Sequence, residues 1–120
     1  MRTLVRGLAI GRVLAGSAML LKPEATARGW IGGRAASYGG TQAITQACGA
    51  RDLALGAGAL AKLLSGADGR DWVLAGAFAD LADLVATATA DDIPLAGRLL
   101  VLGLAGTAIA VSAGYVASPS

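Results

Sequence analysis

Histidine is absent from this chain of 120 residues, and cysteine occurs once, as Cys48. The missing histidine excludes the usual serine triad, and zinc, haem and iron–sulfur centres lose their customary ligand sets. One cysteine cannot close an internal disulfide, and in its apolar segment Cys48 reads as a small buried residue. Aromatic residues make up 4% of the chain, too few for its helices to interlock through large rings. Charged residues are 15%, against about 25% in soluble domains. The Lys and Arg residues are scattered, with no run and no interleaved aromatics, which argues against nucleic acid as a partner.

The residues that dominate are apolar and small. Of all residues 55% are hydrophobic, the mean hydropathy is +0.62, and glycine alone contributes 18. The apolar residues come in long blocks and not in alternation, so the expected partner is a lipid bilayer. Ala, Gly and Leu must then do the packing, as in close helix contacts within membranes.

A helix needs about 20 mostly apolar residues to cross the hydrocarbon core. The segments at 4–21, 41–65, 72–90 and 94–117 qualify. The expectation is one all-α domain over 1–120, a polytopic antiparallel bundle of four transmembrane helices. Lys22-Pro23 stops the first span, and a polar turn from Ser65 to Asp71 separates the second from the third. Asp91-Asp92-Ile93-Pro94 places carboxylates before the fourth, with Pro94 at its first turn. Trp72 and Tyr115, near segment ends, suit interfacial anchors. The loop from Pro23 to Gly40 holds Arg28, Trp30, Ile31, Arg34 and Tyr38, and reads as an interfacial helix or re-entrant flap. Arg2, Arg6 and Ala25-Thr26-Ala27 outline a signal peptide, but Arg12 interrupts its apolar region. Arg2, Arg6, Lys62 and Arg70 fall on one side, and Lys22, Arg28, Arg34 and Arg98 on the other, so positive charge does not choose an orientation.

Five ionisable residues fall near the span centres: Arg12 in the first, Arg51 and Asp52 in the second, Asp80 and Asp83 in the third. At a rise of about 1.5 Å per residue they share one depth. A charge at the bilayer centre costs about 3 kcal/mol on insertion scales, so these groups should face one another or a cavity. Asp80 and Asp83 lie on one helix face, extended by Gly76 and Thr87. Gly49, Asp52, Gly56 and Ala59 share a face, as do Leu8, Arg12 and Gly16. Two arginines against three aspartates leave a net charge of −1 if all ionise. A proton shared near Asp80 and Asp83 is expected, with Arg12 pairing Asp52. Arg98, about one turn inside the fourth span, is a further candidate ligand contact. Gly106, Ala110 and Gly114 form a small-residue ridge for helix packing or an oligomer face, and Gly7 and Gly11 suggest the same.

Arg12-x-x-x-Gly16, Pro23, Gly49-x-Arg51-Asp52-Leu53-x-Leu55-Gly56 and Trp72-x7-Asp80-x-x-Asp83 recur together in a family that this chain resembles. That family comprises small four-span membrane proteins common in actinobacteria. The resemblance covers most of the chain and implies architecture, with no activity. The Ala- and Gly-rich composition fits a bacterial source, hence a bacterial plasma membrane.

Three functions are compatible with the cluster. The first is a proton, ion or small-ligand site, used in coupled transport by a homo-oligomer. The second is a membrane-embedded enzyme without redox cofactor, an isomerase, cyclase or hydrolase on an isoprenoid- or polyketide-like molecule. Asp80 or Asp83 would act there as general acid, its neighbour or Asp52 as base, and Arg12 and Arg51 would orient the acids or bind a polar head. The third is a non-catalytic subunit whose ion pairs only set helix register. No cofactor motif is present; a hard cation such as Na⁺, Mg²⁺ or Ca²⁺ would suit the carboxylates.

Overall fold

Proline cannot donate the backbone hydrogen bond that continues a helix, so the Lys22–Pro23 step divides the first apolar block from the segment after it. The computed structural model of the chain describes residues 1–118 and ends α1, Arg2–Leu21, at that step. α2, Pro23–Ile31, begins on the proline itself, where the missing N–H costs nothing. Gly32, at φ 93°, then turns the chain into the short α3, Gly33–Ala36. α4 spans Gly39–Leu64, α5 Arg70–Thr89 and α6 Leu95–Ala117, with Pro94 as the residue before α6. Every element among the described residues is helical.

α1, α5 and α6 are each long and apolar enough to cross a membrane. α4 is the longest, at 26 residues, but it carries Arg51 and Asp52 at its middle and Lys62 in its last turn, and falls outside that set.

The long helices pack as two close antiparallel pairs, α1 with α4 and α5 with α6. Glycine sets the first pair. A Cβ on Gly16 would lie 2.6 Å from the Gly49 carbonyl oxygen, and one on Gly56 2.8 Å from that of Ala9. Backbone therefore meets backbone at both points, as small-residue packing allows. Trp72 of α5 covers Gly58 of α4, so it serves as an inter-helix contact as well as lying near a helix end.

Arginines close the two ends. At one end Arg2 donates to the carbonyls of Leu63 and Ala67, and Arg6 to that of Leu63. These serve the orphan acceptors at the α4 C-terminus. Tyr115 is buried there and not displayed as an anchor: its hydroxyl accepts from Arg2 and from the Gly69 N–H, and Arg70 lies over its ring. Val5, Leu63 and Val73 complete this apolar cluster. At the other end the expected flap is the helical pair α2 and α3. The Trp30 indole N–H donates to Thr87, and the Trp30 carbonyl lies where a side chain on Gly97 would be.

The ridge on α6 faces outward. Gly106 has nothing near the position of a Cβ, Ala110 is exposed, and Gly114 meets only the flexible end of Met1. Of the two roles expected for that ridge, close helix packing within the chain is not found among the described residues. Large apolar side chains also point outward, with Phe78 75% and Ile44 69% exposed.

Candidate functional site

Gly49, Asp52 and Gly56 share the buried face of α4 because their spacing repeats the helical turn, and Gly76 and Asp80 do so on α5. The close approach of α1 and α4 brings Arg12 to the same level. Gly76 is what admits it: a Cβ there would stand 2.9 Å from Arg12 Nη2.

Arg12 grips Asp80 with both ends of its fork, Nη1 to Oδ1 at 3.1 Å and Nη2 to Oδ2 at 2.7 Å. Arg51 grips Asp83 in the same manner, at 3.2 and 2.7 Å. Such two-pronged pairs are the strongest ionic hydrogen bonds available to arginine. The expected pairing of Arg12 with Asp52 is present, at 3.7 Å between Nη1 and Oδ1, but the closer, two-pronged partner of Arg12 is Asp80. Helix rise gives depth along the axis but not which helices are neighbours.

Asp52 is the odd carboxylate. Its Oδ1 accepts from Arg51 Nε at 3.3 Å and Nη2 at 3.2 Å, both from a guanidinium already committed to Asp83. Among the described residues, no hydrogen bond reaches its Oδ2. Charge therefore alternates as Asp80–Arg12–Asp52–Arg51–Asp83, three carboxylates against two arginines, with Asp52 between both guanidiniums and its Oδ2 left over. Asp80 and Asp83, expected to share a proton, each hold a full arginine partner.

A cavity of about 400 Å³ opens beside this chain of charges, between α1 and α6. Gly7, Gly11 and Ala15 form one wall, Val101, Leu104 and Ala108 the other, and Trp30 lines it as well. Arg12, Asp52, Asp80 and Asp83 supply its polar part. Gly7 and Gly11 close no helix contact; their missing side chains leave the groove open.

The other candidate residues lie apart. Arg98 donates to the carbonyls of Thr87, Ala88 and Ala90 at 2.6 to 3.0 Å, sealing the C-terminus of α5. Thr87 holds Trp30. Neither lines the groove. Arginines stand between the carboxylates, and among the described residues no three acidic or thiol groups converge to hold a metal ion. Sequence reasoning misses the α6 wall and the place of Trp30 in it. The one signal for them is an apolar fourth helix facing a charged layer.

No protein-family model matches the chain, and comparison with curated proteins and with solved structures likewise found no match.

Proposed function

We propose that the chain is a four-span integral membrane protein that holds a lipophilic small molecule in the groove between α1 and α6. The groove carries this reading: its walls are apolar, and it ends on a buried charged layer. An apolar pocket with a few convergent polar groups is the common form of a small-molecule site. Three helices apolar enough to span, and outward side chains such as Phe78 and Ile44, support placement in lipid. α4 joins them as the fourth span because Arg51 and Asp52 find partners within the chain. A bacterial plasma membrane fits the composition, and the resemblance to small actinobacterial four-span proteins fits the architecture.

The acid–base reading moves with the geometry. Asp80 and Asp83 each hold a two-pronged arginine, which leaves Asp52, with its unbonded Oδ2, as the carboxylate placed to exchange a proton with a bound molecule. Arg51 is 34% exposed at its side chain, which favours a second copy covering that face over a bare charge in lipid.

Native mass spectrometry of the protein released from lipid nanodiscs tests the groove. The wild type is expected to retain a small-molecule adduct that Gly11→Leu, which fills the groove from α1, loses. An identical adduct on the stably folded variant would count against this site.

A further inference from the structure

The groove and its charge balance together specify the kind of molecule that fits. At this level α1 supplies Arg12, α4 supplies Arg51, Asp52 and the neighbouring Cys48, and α5 supplies Asp80 and Asp83. α6 presents only apolar side chains to the groove, and α2 presents Trp30. Both guanidinium forks are spent on Asp80 and Asp83. An anionic ligand would find no free cation here and would add to a layer that stands at −1 when all five groups are ionised. A neutral ligand would leave that excess to be balanced by a proton. A small inorganic cation would find the Asp52 Oδ2 and few other oxygens, since arginines separate the carboxylates. A single positive charge on an apolar body is the complement of such a site.

On the groove reading above, we infer that the ligand is a lipophilic monovalent organic cation, its charge set against Asp52 and its apolar part lying between α1 and α6. Trp30 adds an aromatic surface to the same groove, which suits a quaternary or aryl cation. The exchange balances simply. Without ligand, Asp52 carries a proton. When the cation enters, that proton leaves to solvent and the carboxylate becomes the counter-ion, so one proton is released for each cation bound. Apart from that O–H, no covalent bond changes. Arg12, Arg51, Asp80 and Asp83 keep their charges throughout.

Tetraphenylphosphonium and the neutral triphenylphosphine oxide are the probes, titrated calorimetrically into the full chain in buffers of different ionisation enthalpy. Saturable binding of the phosphonium, release of about one proton and weakening as pH falls are the expected results. Asp52→Asn is expected to weaken the phosphonium at least tenfold, about 1.4 kcal/mol, while Asp52→Glu retains it. If the oxide binds as tightly as the phosphonium, and Asp52→Asn leaves both unchanged, the groove stands and the cation inference falls. If neither probe saturates the wild type, both fall. Should Asp52→Asn not fold, the wild-type proton count decides: a phosphonium that binds without proton release overturns the inference.

Discussion

Arg12 ties three helices together at one level. Its guanidinium joins α1 to α5 through Asp80, faces Asp52 of α4, and occupies space that only glycine at position 76 leaves free. Removing one member of a buried ion pair leaves the other uncompensated, at a cost of about 3–5 kcal/mol. Arg12→Met is therefore expected to lower thermal stability strongly in detergent, and the double change Arg12→Met with Asp80→Leu to recover much of the loss. Arg12→Lys cannot reproduce the two-pronged grip and should fall between wild type and Arg12→Met. Gly76→Ala places a methyl group against the guanidinium and should destabilise by about 1–3 kcal/mol, measured in the same thermal series. The five charged positions are legible in the sequence, because charges are rare in apolar segments. Their pairing is legible only in part. Residue spacing reports height and face within one helix, whereas the closer grip of Arg12 on Asp80 than on Asp52 depends on how α1 and α5 are placed about the axis.

At the scale of elements, each helix is terminated by interactions the sequence only partly announces. Lys22-Pro23 and Pro94 mark boundaries by backbone chemistry alone, and those boundaries are readable. Arg98 reads in the sequence as a ligand contact, because a charge inside an apolar segment invites a functional role. Its actual partners are the carbonyls that α5 leaves unpaired at its end, a requirement visible only once the chain turns back on itself. Arg98→Ala should fray that end, costing about 1–3 kcal/mol for the acceptors left unserved. Amide exchange is expected to quicken between Thr87 and Thr89 and to stay unchanged near Arg70. The turn between α4 and α5 behaves differently because it is exposed. The Arg70 backbone N–H, 3.0 Å from Asp68 Oδ1, holds that carboxyl below its ordinary value of 3.8, and the Arg70 side chain adds to the effect. A lowered folded-state value favours the folded turn above the ordinary carboxylate range, and the contribution is lost as pH falls through the lowered value. Protection of the Arg70 amide should drop over that acid window, and Asp68→Asn should abolish the pH dependence.

For the whole molecule, the consequence of building with small residues is unequal packing. Gly16, Gly49 and Gly56 draw α1 and α4 together, and the glycines of α1 that face α6 have no such neighbour. The same residue type that closes one interface holds the other open. Composition does not distinguish these roles, so Gly7 and Gly11 read as packing positions in the sequence and are groove wall in the fold. The proposed function requires this groove to lie within the bilayer, opening to lipid beside a buried charged layer. A nitroxide label on Gly11→Cys, in a Cys48→Ala background reconstituted in bilayers, probes that placement. Power saturation should show high accessibility to oxygen and low accessibility to a water-soluble nickel chelate, as for a lipid-facing site near the midplane. Ready collision with the nickel chelate would place the groove in water and refute its assignment to the membrane.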